Sequence, residues 1–295
     1  MSPKEIGLIS QLASILEASS YPKPGNVHRF YDFEDVCLEN FLASGIAIGP
    51  PMEELAKASV ESFPDVNLGK FILDAVNETK RWQKGGNTNL GIILLFSPLC
   101  SSGSVSSSLK ELRTNLKKVV RSTTPEDSKN VYKAIKVVNA NVGKLEGEFS
   151  IYDVYKAERD LPPLWKLMEI SSEWDNISRE WTYNYEITFE VGFKKITELW
   201  EKNINSAMVE TFLTILSKYP DSLIRRKAGM ERAVHISRKA KDILKKGGVF
   251  TSIGKKEVIK FDRELQKEGN VLNPGTTADL LASSIWLALW CGYRP

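Results

Sequence analysis

The stretch Asn273-Pro274-Gly275-Thr276-Thr277-Ala278-Asp279-Leu280-Leu281-Ala282-Ser283-Ser284-Ile285-Trp286-Leu287-Ala288-Leu289-Trp290-Cys291 passes from a polar, Gly-containing loop into a run that is apolar on nearly every side. Its pattern predicts a helix over 275–290. A helix with no polar face has nothing to offer water and belongs at the centre of a core. A second such run, Leu90 to Leu99, follows another polar glycine loop. Both runs are about half of the ~20 residues a membrane-spanning helix needs, and both contain Ser or Pro, so they read as buried core helices.

What surrounds such helices must be amphipathic. Leu8, Ile9, Leu12, Ile15 and Leu16 share one helical face, and that helix stops before Pro22-Lys23-Pro24-Gly25. A periodic stretch over about 33–48 ends at Gly49-Pro50-Pro51, where Pro51 suits the opening of the next helix. Leu68, Phe71, Ile72, Ala75, Val76 and Thr79 repeat the spacing, with Asn67 as cap and Gly85-Gly86 as terminator. Thr124-Pro125-Glu126-Asp127 reads as a helix start. Further helices are expected over 126–140, 163–173, 184–201, 205–219, 222–246 and 254–268. The serine-rich 101–108 reads as a loop, and 141–161 as irregular. No strand alternation competes. The expectation is an all-α fold, a single compact domain over 1–295 of about ten to twelve helices with two central apolar helices.

Composition excludes several functions. With 295 residues, 42% hydrophobic and 26% charged, the chain is globular, and 40 basic against 37 acidic residues leaves a net charge of +3. That balance argues against a nucleic-acid partner, and the apolar runs argue against a membrane one. Cys37, Cys100 and Cys291 are odd in number and widely spaced, which fits neither a disulfide framework nor a zinc site and suits a cytoplasmic protein. The two histidines, His28 and His235, lack the flanking signature of triad or zinc chemistry. No Walker loop or dinucleotide fingerprint is present.

Four loops carry candidate chemistry, each beside a plainer reading. In Tyr21-Pro22-Lys23-Pro24-Gly25-Asn26-Val27-His28-Arg29, the prolines and glycine present Lys23, Asn26, His28 and Arg29 rigidly, or simply turn the chain. In Gly85-Gly86-Asn87-Thr88-Asn89-Leu90-Gly91, three polar side chains at the start of an apolar helix suit an anion, or one of them is the cap. Asp221 opens a helix whose first two turns carry Arg225, Arg226 and Lys227, the wrong end of the dipole for cations unless a polyphosphate binds. Thr276 and Asp279 stand at capping-box spacing, yet a carboxylate at the mouth of the most apolar helix is also placed to hold a cation.

Taken in order, Lys23-Pro24-Gly25-Asn26-Val27, Gly85 to Gly91, Asp221-Ser222-Leu223-Ile224-Arg225-Arg226-Lys227 and Asn273 to Ala282 resemble the motifs of the triphosphoribosyl-dephospho-CoA synthase family. The likeness extends over about 20–289 and implies an all-helical fold. It implies transfer of the 5-triphosphoribosyl group of ATP to the 2'-hydroxyl of dephospho-CoA, with release of adenine. Such chemistry needs cations on an intact triphosphate, a carboxylate near the ribose and a proton donor to the departing base. On that resemblance Lys23, Gly25, Asn26, Asn87, Thr88, Asn89, Arg225, Arg226, Lys227, Gly275 and Thr276 are candidate phosphate or nucleotide contacts. Asp221 and Asp279 are candidate catalytic carboxylates and ligands of Mg2+. Asn89 and Leu90 replace a His and a Lys of the bacterial pattern, His28 replaces an Asp, and Thr276-Thr277 replaces Gly-Ser, as in a divergent, archaeal-type branch. Two alternatives stand beside this one: a related hydrolase of a nucleotide-phosphate or N-glycosidic bond, and a non-catalytic helical binding protein.

Overall fold

The computed structural model describes residues 1–143, 147–155 and 161–295. The chain forms two compact units, Met1–Leu12 with Ala43–Tyr185, and Ala13–Leu42 with Glu186–Pro295. Helices α1 (Pro3–Ser19) and α2 (Leu38–Ala47) each have residues in both.

The first unit continues with α3 (Gly49–Ser62), α4 (Leu68–Trp82), α5 (Leu90–Ser104), α6 (Leu109–Arg121), α7 (Pro125–Val137), α8 (Leu164–Ser171) and α9 (Asn176–Thr182). The apolar helix α5 is its centre, buried over most of its length and packed on α3, α4, α6 and α9. Pro98 lies inside α5 and has no N–H to give the Leu94 carbonyl one turn back. The indole N–H of buried Trp181 donates to that oxygen at 3.1 Å, and the Tyr185 hydroxyl donates to the neighbouring Leu95 carbonyl at 2.8 Å. A proline that would break an isolated helix is thereby accommodated. Asn67, Ser108 and Thr124 cap α4, α6 and α7 with their side chains, and Thr124 with Asp127 forms the capping box that the sequence announces.

The second unit adds a π-helical turn (Thr188–Phe193), α10 (Lys194–Leu199), α11 (Ile204–Lys218), α12 (Ser222–Ala228), α13 (Met230–Lys245), α14 (Ser252–Gln266) and α15 (Gly275–Trp290). Here the apolar helix α15 is central, packed on the π-helical turn and on α10, α11 and α12. Gly192 permits the close approach: a Cβ there would fall 1.9 Å from Ser284 Oγ.

The all-α expectation holds: among the described residues the only β pairing is an isolated bridge between His28 and Tyr31. The helix count of ten to twelve is too low, for three physical reasons. The expected 222–246 helix is cut at Gly229, whose φ of 88° ends α12 before α13 begins. The expected 184–201 helix is interrupted by the π-helical turn. The stretch 101–108 is divided between the end of α5 and the cap of α6, a helix that goes unpredicted, as does α9. The 33–48 helix starts only at Leu38, whose N–H is taken by Asp32 Oδ1. Of the irregular stretch 141–161, positions 144–146 and 156–160 lie outside the described residues, and a 3₁₀ turn occupies Gly147–Tyr152. Among the described residues no helix is long and apolar enough to cross a membrane.

Helices α4 and α7 touch through a glycine. Gly69 N–H donates to Asp127 Oδ1 at 2.7 Å, and a Cβ at position 69 would lie 2.4 Å from the Asp127 carbonyl oxygen. Because backbone cannot swing aside as a side chain does, Gly69→Ala is expected to destabilise the protein by about 1–3 kcal/mol, read as a lowered urea midpoint at unchanged m.

Candidate functional site

Three of the four candidate loops belong to the second unit, and two of them meet at Asp221. Asp221 has no exposed surface and caps α12, its Oδ1 accepting from the N–H groups of Leu223 (2.9 Å) and Ile224 (3.0 Å). Its Oδ2 accepts from Thr277 twice, from the N–H at 2.7 Å and the hydroxyl at 2.8 Å. Ser222 Oγ donates to Thr276 Oγ1 at 3.0 Å, and a Cβ at Gly275 would strike the Leu223 side chain at 2.8 Å. The starts of α12 and α15 are therefore bolted together by one carboxylate. Because α15 already begins at Gly275, Thr276 lies inside the helix and not at the cap position that a Thr276/Asp279 capping box would need; Asp221 takes the Thr277 N–H, Thr276 turns to Ser222, and Asp279 is half-buried one turn in.

Because α12 stops at Ala228, Arg225, Arg226 and Lys227 occupy its last turn. This corrects the sequence reading: the cations stand at the favourable end of the helix dipole, and the dipole alone calls for no polyphosphate. All three are half-buried. Lys227 Nζ donates to the Asn270 carbonyl at 2.8 Å and to Asn270 Oδ1 at 2.7 Å. Burial pushes the Lys227 ammonium down from its ordinary value, against the pull of the Asp35 and Asp221 charges. Burial also pushes the Asp221 carboxyl up, against its hydrogen bonds to Ile224 and Thr277 and the charge of Arg226.

The loop at 21–29 turns most of its polar side chains inward. Lys23 is 2% exposed and donates to the Glu17 carboxylate and, at 2.8 Å, to the Glu17 carbonyl. Burial raises the Glu17 carboxyl, and Lys23 lowers it again. Gly25 (φ 73°) donates its N–H to Asp262 Oδ1 at 3.0 Å, and a Cβ there would crowd Leu265 and the Leu272 carbonyl. Buried Asn26 donates to the Pro24 carbonyl at 3.2 Å. Asp262 Oδ2 meets His28 Nε2 at 3.0 Å and accepts from Gln266 Nε2 at 2.9 Å. The Phe30 N–H donates to His28 Nδ1, so Nε2 carries the ring proton and gives it to Asp262. Sequence reasoning missed Asp262 and Glu17. The available signal was an acid on an apolar stripe: Asp262 keeps helical spacing with Val258 and Leu265, as Glu17 does with Ile6 and Ala13.

The remaining loop belongs to the first unit. Asn87 Oδ1 accepts from the Leu90 N–H at 3.2 Å, Thr88 Oγ1 pairs with Ser44 Oγ at 2.7 Å, and Asn89 Nδ2 reaches the Ser44 carbonyl and Thr79 Oγ1, both at 3.4 Å. Lys80 and Gln83 donate to the carbonyls of Gly85 and Gly86. Among the buried acceptors without a protein partner in the described residues, two lie by the candidate loops: Gln83 Oε1 beside this one and Asn273 Oδ1 beside the start of α15. Such orphans in a folded protein ask for an explanation, and a ligand donor is one.

The family model described as ATP:dephospho-CoA triphosphoribosyl transferase matches residues 3–294. The chain belongs to this family. Its members are transferases that use ATP and dephospho-CoA, and the chain is one of them. A solved structure from Archaeoglobus fulgidus, carrying a provisional description as a triphosphoribosyl-dephospho-CoA synthase, is 30% identical. That likeness covers 86% of this chain and 100% of the other, with a TM-score of 0.65. No curated protein matches the chain.

Two substitutions separate scaffold from chemistry in this transferase. Asp221→Ala removes a cap and strands buried donors on α12 and Thr277, so a loss of stability on the order of 3 kcal/mol is expected by urea unfolding. Lys23→Met leaves the Glu17 carboxyl buried without its cation, which raises it further. A carboxyl raised in the folded state opposes folding once the unfolded chain ionises. The Lys23→Met protein should therefore lose stability relative to the parent as pH rises above the ordinary carboxylate value near 4.5, read from urea midpoints across pH.

Proposed function

We propose that the chain moves the 5-triphosphoribosyl group of ATP to the 2'-hydroxyl of dephospho-CoA and releases adenine. The observation that carries this reading is the family match over 3–294, and the meeting of the 220–227 and 273–279 loops at Asp221 supports it. Arg225, Arg226 and Lys227 form the last turn of α12, the helix that Asp221 ties to α15, and in this reading they take the triphosphate. Gly275 and Thr276 line the same junction, while Asn87, Thr88 and Asn89 offer polar groups at the start of α5. Lys23, Gly25 and Asn26 hold the loop whose shape the nucleotide meets.

A carboxylate has about four acceptor positions, and the four donors on Asp221 occupy them. Asp221 accordingly acts by holding the two helix starts in register and not as a base. Asp279 is the carboxylate assigned to activate the acceptor hydroxyl or to share Mg2+ with the substrate's phosphates. Among the described residues no group of three or more His, Cys, Asp or Glu side chains could hold a metal alone. Mg2+ fits this donor set as an ion carried in with ATP, where it would neutralise triphosphate charge. Three cysteines outside any disulfide fit a cytoplasmic setting.

The deciding assay measures free adenine from ATP with and without dephospho-CoA. Release that needs the acceptor is expected; equal release without it would favour the hydrolytic alternative. Asp279→Asn should lower kcat on the order of a hundred-fold, and Arg226→Ala should raise the KM for ATP with a smaller effect on kcat.

A further inference from the structure

The 21–31 loop hides its expected phosphate contacts and exposes something else. Lys23, Asn26 and His28 are all 5% exposed or less, whereas Arg29 and Phe30 project into solvent, and Phe30 at 74% is the most exposed large apolar side chain among the described residues. A single exposed Phe is ordinary on a protein surface. This one differs in being fixed. His28 and Tyr31 exchange backbone hydrogen bonds at 3.0 and 2.9 Å, which makes Arg29 and Phe30 the two central residues of a closed turn. The Phe30 N–H is held by His28 Nδ1, and His28 is in turn held by Asp262. The Phe30 ring stands edge-on to Tyr21, with centroids 4.9 Å apart, and Tyr21 is itself pinned through its N–H to Asn205 at 2.9 Å. Tyr31 closes the far side by donating to the Gln266 carbonyl at 2.8 Å. The loop rests on the end of α14 and on Leu272, two residues from the Asn270 that holds Lys227. A rigid aromatic face on a loop that packs near the Asn270 contact of Lys227 is suited to a flat aromatic ligand, because no ordering has to accompany binding.

We propose that Phe30 is a base-stacking residue that takes the adenine ring of a nucleotide substrate on its exposed face. The proposal rests on the triphosphoribosyl-transfer reading, since ATP and dephospho-CoA both carry adenine and the reaction releases it. Arg29, the other exposed residue of the turn, is paired with Glu39 at 3.2 Å.

Steady-state kinetics of Phe30→Leu and Phe30→Trp test it. Leucine keeps apolar bulk without a π face; tryptophan enlarges the face. Phe30→Leu is expected to raise the KM for ATP, for dephospho-CoA or for both on the order of ten-fold, with kcat within about two-fold, and Phe30→Trp to retain the parent values. The KM that moves identifies which adenine is stacked. Inhibition by inorganic triphosphate, which has no base, should be unchanged in Phe30→Leu. Parent-like KM values in Phe30→Leu, failure of tryptophan to substitute, or an equal weakening of triphosphate inhibition would each overturn the proposal. If the parent protein releases no adenine with both substrates present, the transfer reading is what fails. Calorimetric titration of ATP and of dephospho-CoA into the parent and Phe30→Leu then judges stacking alone, and equal affinities would refute it.

Discussion

A carboxylate removed from water has to find donors for both oxygens, and Asp221 finds four in the first turns of two helices. Left unmet, that burial would cost several kcal/mol; met, it dictates where α12 and α15 begin relative to each other. The consequences spread through the second unit. Gly275 must stay small to admit Leu223, Thr276 turns to Ser222, and α15 starts without a cap of its own. The most apolar helix of the unit is thus positioned at its polar end by a single ionisable group.

The same device recurs at different scales. Asp262 holds Gly25 and His28 with its two oxygens, Glu17 holds Lys23, Asp127 holds Gly69 across two helices, and Glu210 receives the Val249 N–H at 2.9 Å. In each case an acid sits on a buried helical face and reaches a loop or a neighbouring backbone. Helices pack by apolar stripes, but stripes leave axial sliding weakly determined; directional bonds to buried carboxylates remove that freedom.

These acids explain which parts of the molecule were legible from sequence. Periodicity revealed the helices because burial of a face is a local property, and the all-round apolarity of α5 and α15 marked them as centres. Pro98 in α5 was readable as a proline, whereas its rescue by Trp181, distant in sequence, was not. Gly229 looked like one glycine in a long basic helix, and only its positive φ reveals two helices and moves three cations to the favourable end of the first. In the candidate site the motifs are legible in the sequence, and the directions of their side chains are not. Lys23 suggested a phosphate contact because a lysine between prolines reads as displayed; Glu17, six residues earlier on a helix, turns it inward.

Inward-turned charges bear on how a polyanion would be received. A carboxylate with every acceptor position filled by N–H or O–H donors has its charge spread over those dipoles, and it repels an approaching phosphate far less than a bare one at the same distance. Asp221 can therefore stand at the base of two helix starts without cancelling the positive potential of Arg226 and Lys227, whose charges reach it from the last turn of α12. Burial raises the Asp221 carboxyl and lowers the Lys227 ammonium, so desolvation acts against the charged form of both groups. A net charge of +3 over 295 residues conceals this arrangement, because acids that serve as internal fastenings enter the sum without facing a ligand.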